Sequence, residues 1–305
     1  MLSGITTTCF AASYAVALAL EISRLFFRSG IRGAVMLAFA GAGLFAQTVF
    51  LVYRVGNTAG SPLSSKQDWC LIAAWILVVI YLYLTFFHPK APFGVFLLPL
   101  VLGLIGVGTL LADSEPFGSE PASRVWGAIH GISLLLATVS VLIGFVAGLM
   151  YLHQSSRLKR KLPPRAGLRL PSLEWLQKAN ARAIVVAIPT LGLGVLSGIV
   201  LNLIHYGRQS GRVPWSDLFV LSTIFLFAWL LLSALVGLWY RPAREGHKVA
   251  YFTVVSCVFL AVALGIGLFV EPQHGQLQPR RPASSSRVQR LGHGGSVPRL
   301  PGGVA

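Results

Sequence analysis

The chain has 305 residues, of which 55% are hydrophobic and only 11% are charged, whereas soluble domains carry about 25% charged residues. A water-soluble fold of this length would lack the polar residues that cover its surface. The composition therefore excludes a soluble enzyme as the default class and indicates an integral membrane protein. The formal net charge of +16 then needs an explanation, because a membrane-embedded chain has few places for so many basic residues.

Apolar runs of spanning length recur along the chain, separated by short polar turns or turns that contain Pro and Gly. A helix needs about 20 such residues to cross the hydrocarbon core, and the runs lack the alternation typical of barrel strands. We therefore predict an all-α, polytopic membrane helix bundle of about eight transmembrane helices within residues 1–270. The predicted spans are Ile5–Leu20 (with Phe27 as an alternative end), Ala34–Val55, Trp69–Phe87, Phe93–Ala112, Val125–Leu152, Ala183–Tyr206, Leu218–Trp239 and Val249–Val270.

The distribution of basic residues predicts the orientation of this bundle. With the N-terminus outside, most of the Lys and Arg residues of the loops lie on the inner side, and the densest group lies between Arg157 and Arg182. Three acidic residues, Asp113, Glu115 and Glu120, lie together in one outer loop. The positive-inside rule thus predicts a multi-pass membrane protein with both termini on the outer side, and we expect it in the bacterial cytoplasmic (inner) membrane. Its charge is an orientation signal in the lipid bilayer, and no nucleic-acid partner is predicted.

Residues 271–305 form a separate region in composition. They are rich in Arg, Gly, Pro and Ser and show no apolar periodicity, so we predict a disordered basic C-terminal tail. Such a tail either contacts anionic lipid or an acidic partner, or is solvated and has no specific role.

The chain carries none of the common nucleotide-binding or hydrolase motifs, and no nucleophile–base pair is visible, so we do not expect an enzyme. Coupled transporters generally need an ionisable group inside the membrane. Glu21 is the one acidic candidate, and Arg24 one turn away is expected to form an ordinary ion pair with it.

Histidines, tryptophans and charged residues gather at the predicted outer face. His130 opens the fifth span one turn after Trp126, His205 closes the sixth span, and His274 follows the eighth. Neutral imidazoles flanked by aromatic rings could ligate heme iron. The alternative is an ordinary interfacial belt of aromatic and amphipathic side chains. The loop after the sixth span adds four further candidates: Arg208, Arg212, Trp215 and Asp217.

Several segments, in this order and spacing, resemble the cytochrome c assembly family, the heme-handling membrane proteins of the CcsA, HemX and CcmC type. The resemblance covers nearly all of 34–270, and Trp126–His130 is its strongest stretch. The other segments that carry it are Gly43–Thr48, Phe93–Leu100, Gly148–Leu152, Arg157–Lys161, Leu196–Val200 and Gly246–Tyr251.

The resemblance implies a protein that holds or presents heme b, transiently bound, at the outer face. It implies His130 as a heme-iron axial ligand, with His274 or His205 as its possible partner. An aromatic and hydrogen-bonding surround of Trp126, Trp215 and Asp217 would enclose the ring, and Arg208 and Arg212 could serve the propionates. The implied partners are a second cytochrome c assembly membrane subunit and apocytochrome c. The family pattern also has histidines where this chain has Gln47, Gly237 and Phe269.

Three functional hypotheses follow. The first is a divergent, HemX-like protein of cytochrome c biogenesis that binds or presents heme for attachment to apocytochrome c. The second is a heme-free accessory or regulatory membrane scaffold, which the residues Gln47, Gly237 and Phe269 favour. The third is a small-solute permease, for which Asn202, Gln47 and Ser197 are the polar hints inside the spans; each can also be explained by hydrogen bonds between helices.

Overall fold

The structure is a computed structural model that describes residues 6–24, 30–57, 65–89, 91–112, 121–161, 170–207, 218–239 and 246–269. These residues form eight α-helices and, within the same ranges, no strand. The all-α prediction and the number of helices are confirmed. The helices are α1 (Thr7–Arg24), α2 (Gly30–Asn57), α3 (Lys66–Phe87), α4 (Gly94–Leu110), α5 (Pro121–Lys159), α6 (Leu173–Gly207), α7 (Leu218–Trp239) and α8 (Gly246–Phe269).

Length and hydropathy identify this bundle as a multi-pass membrane protein. Within the described residues, five helices are long and apolar enough to cross a bilayer, and two further apolar helices are shorter, Gly94–Leu110 and Val220–Leu235. The long apolar stretches are Arg32–Gly56, Lys66–Phe87, Val125–Lys159, Leu173–Ile204 and Val249–Leu268. Many large apolar side chains on their surfaces are exposed, for example Phe45 and Phe86, as expected where lipid replaces water as the solvent.

Two helices extend well beyond the spans predicted for them. α5 continues to Lys159 rather than ending at Leu152, and α6 begins at Leu173 rather than at Ala183. The added residues include Lys, Arg, Glu, Gln, Leu and Ala, which are good helix formers, so each helix extends beyond the continuous apolar stretch. The start of α6 is stabilised by the Ser172 hydroxyl, which accepts from the backbone N–H of Trp175 at 3.3 Å, as at a helix N-cap.

The helices pack as two groups of four. In the first group α1 contacts α2 and α4, and α3 contacts α4 and α2; in the second, α5 contacts α6 and α8, and α7 contacts α8 and α6. Contacts between α3 and α5 join the groups. The second group has antiparallel neighbours, since Gly148 near the end of α5 lies against Ala250 near the start of α8.

Glycines permit the closest helix crossings in the second group. A Cβ at Gly148 would lie 2.7 Å from the Thr253 hydroxyl and 3.1 Å from the carbonyl oxygen of Ala250. Gly144, one turn earlier, faces Ala183 of α6 and Thr253 of α8. Small residues at this spacing let helix backbones approach in a membrane, where packing replaces the hydrophobic effect as the driving force.

The one acidic residue inside the first span is buried, and its partner differs from the expected one. Glu21 is fully buried beside Gly94, the first residue of α4: a Cβ built at Gly94 would lie 3.0 Å from Cγ and 3.2 Å from Cδ of Glu21. The Arg24 guanidinium donates to the carbonyl of Pro89 instead of forming the contact ion pair that the sequence predicted. A carboxylate at the amino end of a helix is favoured by the helix dipole, which accounts for its position next to α4.

The basic tail, 271–305, lies outside the described residues, so its disorder stays a prediction. The loop that contains Arg208, Arg212, Trp215 and Asp217 also lies outside the described residues.

Candidate functional site

The candidate site is built on the first turns of α5. This helix begins at Pro121, a residue whose fixed backbone angle suits the first helical position. Trp126 and His130 are four residues apart and therefore share one face of the helix. The Trp126 side chain is 38% exposed and the His130 side chain is half-buried, so an indole and an imidazole stand next to each other near one end of the bundle.

His130 is fixed by α6. Its Nδ1 lies 2.8 Å from the carbonyl oxygen of Gly194 and 3.4 Å from the hydroxyl oxygen of Ser197. A carbonyl oxygen can only accept, so the 2.8 Å contact assigns the proton of the neutral ring to Nδ1. The Ser197 hydroxyl donates to the same Gly194 carbonyl at 2.9 Å. In this tautomer the ring lone pair is on Nε2, which is the arrangement of a histidine that ligates a metal through Nε2.

Two glycines of α6 allow this close approach. A Cβ at Gly194 would lie 2.6 Å from Cδ2 of Leu134, and a Cβ at Gly198 would lie 3.0 Å from Cε1 and 3.2 Å from Nδ1 of His130. His130 and Leu134 are consecutive contacts of α5, one helical turn apart, and they rest on consecutive glycines of α6 with the same spacing. The imidazole is therefore held both by a hydrogen bond and by the shape of the helix beneath it.

Of the eight predicted site residues, His130 and Trp126 are the ones whose side chains the structure describes. His205 belongs to the last turn of α6, but its side chain lies outside the described residues. Four predicted residues connect the end of α6 to the start of α7 in the sequence, and one follows α8. Arg208, Arg212, Trp215, Asp217 and His274 all lie outside the described residues, and their roles stay predictions.

The position that the family resemblance associates with a second-span histidine is occupied by a hydrogen-bonded glutamine. Gln47 is fully buried; its Oε1 accepts from the Tyr14 hydroxyl at 2.7 Å, and its Nε2 donates to the carbonyl of Leu71 at 3.0 Å. Beside it, the indole N–H of Trp75 donates to the Thr48 hydroxyl at 2.9 Å. Gln47 thus joins α1, α2 and α3, and both ends of its amide are engaged in that task.

The other two positions at which the family resemblance implies a histidine also lack an imidazole. Gly237 lies in the last turn of α7, and Phe269 is the last residue of α8. Glycine offers no side-chain ligand, and phenylalanine offers only an apolar ring. Of the four positions where the family pattern has a histidine, namely 47, 130, 237 and 269, position 130 is the one at which this chain keeps it.

The donor set of the described residues is compatible with heme. These residues hold no group of three or more His, Cys, Asp or Glu side chains placed to bind a metal ion. Heme iron, however, takes only one or two axial ligands from the protein. An imidazole with its lone pair on Nε2 and an exposed indole on the same helix face fit two of the requirements of a heme site, an axial nitrogen and apolar surface.

Sequence reasoning missed the residues of α6 that contact His130. In the sequence, Gly194 has no predicted role; Ser197 and Gly198 belong only to the segment Leu196–Val200 that carries the resemblance, and Ser197 is interpreted as a hint of a polar path or as a hydrogen bond between helices. A signal was present, because Gly194 and Gly198 form the small-residue spacing by which membrane helices approach each other. The sequence did not reveal which helix approaches there.

Together these features define the class of the protein: a helical, multi-pass membrane protein whose candidate site is one oriented imidazole at the end of a helix pair. Comparison with known proteins narrows this class. The chain is 25% identical to the cytochrome c biogenesis protein CcsA of Chlorella vulgaris over 270 residues, which cover 77% of this chain and 83% of that protein. This similarity supports a place for the chain in the cytochrome c assembly family. No family model and no solved structure matches the chain.

Proposed function

We propose that this protein acts in cytochrome c biogenesis by binding heme at the outer face of a bacterial inner membrane and presenting it for attachment to apocytochrome c. The 2.8 Å contact between His130 Nδ1 and the Gly194 carbonyl oxygen is the observation that carries the proposal, since a carbonyl only accepts and the neutral ring then has its lone pair on Nε2. The similarity to a relative named for cytochrome c biogenesis supports the same role.

Each described residue has a definite task in this proposal. His130 would hold the iron through Nε2, and the Gly194 carbonyl keeps the ring from rotating by accepting from Nδ1. Trp126 would contribute its exposed indole as apolar surface for the heme. When bound, heme supplies the iron and the side groups that react with cysteine thiols of the apocytochrome. The protein binds, orients and presents it, and no acid–base chemistry by its own side chains is required.

Candidate partners for these residues lie outside the described chain. His274 or His205 would supply the second axial nitrogen, and Trp215 and Asp217 would complete the surround. Arg208 and Arg212 would pair with the propionates, for which a planar guanidinium is well suited. A second membrane subunit of cytochrome c assembly would act with this chain.

Absorption spectroscopy tests the axial ligand. The protein is purified from heme-replete cells, and the spectra of the wild type, His130→Ala and His153→Ala are compared. His153 is the matched control because it lies on the same helix, exposed near the opposite end. We expect a Soret band in the wild type and in His153→Ala and its loss or displacement in His130→Ala. A wild-type protein without a Soret band, or a band unaltered in His130→Ala, would contradict the ligand assignment.

A heme-free accessory scaffold is the second candidate, and the contacts of Gln47 favour it. Both ends of the Gln47 amide are engaged in joining three helices, so this position serves packing where the family resemblance implies a ligand. Deletion of the gene distinguishes the two functions. Loss of all covalent c-type cytochromes is expected if the protein presents heme, whereas a reduced but persistent level indicates an accessory scaffold.

A further inference from the structure

We propose that α6 sets the tautomer and the orientation of His130, with the Gly194 carbonyl as the proton acceptor and Gly198 as the surface against which the ring rests. This inference rests on the proposed function, because the orientation of Nε2 has a role only if Nε2 binds iron. The geometry itself is independent of any ligand. Gly194 and Gly198 are accordingly positioning residues, which act through His130 and are not assigned a contact with heme.

The steric part of the argument depends on the distances at Gly198. A Cβ there would lie 3.0 Å from Cε1, 3.2 Å from Nδ1 and 4.0 Å from Nε2 of His130. The Cε1–Nδ1 edge of the ring therefore rests against α6, and Nε2 is the nitrogen farther from Gly198. A methyl group at this position would have to displace the ring by a few tenths of an ångström, since carbon–carbon contacts are optimal at about 3.5 to 4.0 Å.

The electronic part depends on Gly194. Its carbonyl oxygen accepts from His130 Nδ1 at 2.8 Å and from the Ser197 hydroxyl at 2.9 Å. Moving the ring away from α6 lengthens the first of these bonds and so weakens the preference for the proton on Nδ1. A ring with its proton on Nε2 cannot donate a lone pair to a metal from that atom. One added methyl group at Gly198 thus alters both the direction and the chemistry of the donor nitrogen.

The same helix offers a matched control. A Cβ at Gly192 would lie 3.2 Å from Cε2 of Phe227 of α7, so Gly192→Ala adds the same methyl group to the same helix in a similarly crowded place, against α7. Gly198→Ala and Gly192→Ala have the same effect on helix propensity, which favours Ala over Gly by about 1 kcal/mol. A difference between the two variants reports contact with His130.

Two measurements test the proposal. The first is the ¹⁵N NMR spectrum of histidine-labelled, heme-free protein at a pH where imidazoles are neutral, with the His130 signals identified by their loss in His130→Gln. We expect Nδ1-protonated His130 in the wild type and in Gly192→Ala, and a mixture of tautomers in Gly198→Ala. The second is heme titration, in which Gly198→Ala should bind about 10-fold or more weakly, as is typical for groups that orient a metal-ligating histidine, while Gly192→Ala binds like the wild type.

The outcomes separate the two proposals. If the wild type binds no heme, the proposed function fails, and the NMR spectrum alone decides the positioning role. Nε2-protonated His130 in the wild type overturns the inference, and so does a Gly198→Ala variant whose tautomer and heme affinity equal those of the wild type. If Gly198→Ala fails to fold, the wild-type tautomer remains a sufficient test.

Discussion

The Tyr14 hydroxyl donates a hydrogen bond to Oε1 of Gln47 at 2.7 Å, and both side chains are fully buried. This bond joins α1 to α2, and the Gln47 amide continues it to α3 through the Leu71 carbonyl. A polar residue in the middle of an apolar bundle is costly unless its hydrogen-bonding groups are satisfied. Here the Oε1 atom of Gln47 connects α2 to α1, and its Nε2 atom connects α2 to α3.

A double-mutant cycle measures the strength of that connection. Tyr14→Phe should destabilise the protein because it leaves Oε1 of Gln47 buried without its donor, and Gln47→Leu should do so because it leaves the Tyr14 hydroxyl without its acceptor. We expect a coupling energy of about 1 kcal/mol, typical of hydrogen bonds between membrane helices. Unfolding of the four proteins in detergent gives this value, and additive effects of the two changes would contradict the proposed link.

Two ion pairs among the described residues differ in burial, and this difference predicts their contributions to stability. Arg54 Nε lies 2.6 Å from Asp68 Oδ1, with the Asp68 side chain only 8% exposed; Lys178 and Glu174 are equally close, with side chains 64% and 76% exposed. Asp68→Asn should cost about 1 to 3 kcal/mol because it removes a charged partner from a largely buried guanidinium. Glu174→Gln should cost no more than about 0.5 kcal/mol.

The comparison of Asp68→Asn with Glu174→Gln is made by thermal unfolding in detergent at low and at high salt. Only the exposed pair should weaken appreciably with salt. Equal effects of the two substitutions would show that the Arg54–Asp68 pair is no more buried in solution than the pair on α6.

The crossing of α5 and α8 depends on the absence of a side chain at Gly148. A Cβ at that position would lie 2.7 Å from the Thr253 hydroxyl, so Gly148→Ala should force the helices apart and destabilise the protein by about 1 to 3 kcal/mol. Gly103→Ala is the control, because no atom lies within 4 Å of a Cβ built there and the better helix propensity of alanine should leave stability unchanged or slightly higher. Melting temperatures of both variants check this. A Gly148→Ala protein as stable as the wild type would show that the crossing is looser.

Trp126 distinguishes a heme site from an interfacial aromatic belt. Its indole is exposed one turn before His130, so Trp126→Leu should leave the fold intact but remove a ring contact with heme worth about 0.5 to 1.5 kcal/mol, or up to about a tenfold loss of affinity. Heme titration checks this, with Phe86→Leu on the exposed surface of α3 as the control. Unchanged affinity in Trp126→Leu would support the belt.

Hydropathy predicted the eight helices because apolar runs of spanning length have few other stable structures in lipid. It did not predict where α5 and α6 end, since a helix does not stop at the edge of the hydrocarbon when polar helix-forming residues follow. His130 was recognisable as a candidate from its position after Trp126. Its contact with Gly194 was not, because that contact depends on which faces of two distant segments meet.

The hydrogen-bond partners of Gln47 could not be predicted from the sequence either. The sequence shows only that a glutamine occupies this position. It is equally consistent with the loss of the family's histidine ligand and with a polar group that lines a solute path. Only the positions of Tyr14 and Leu71 show that both ends of its amide are already used. Satisfaction of a buried polar group is a property of three-dimensional neighbours, and no local pattern encodes it.

The unbroken length of α5 connects the candidate site to the opposite membrane surface. His130 lies near the start of this helix and Arg157 near its end, about 40 Å apart at 1.5 Å per residue. That distance exceeds the roughly 30 Å of bilayer hydrocarbon, so a basic end anchored among headgroups fixes how far the imidazole stands beyond the opposite edge of the hydrocarbon. Because the length of α5 is fixed, a thicker bilayer would place His130 closer to the lipid tails. The accessibility of the site would therefore depend on membrane thickness.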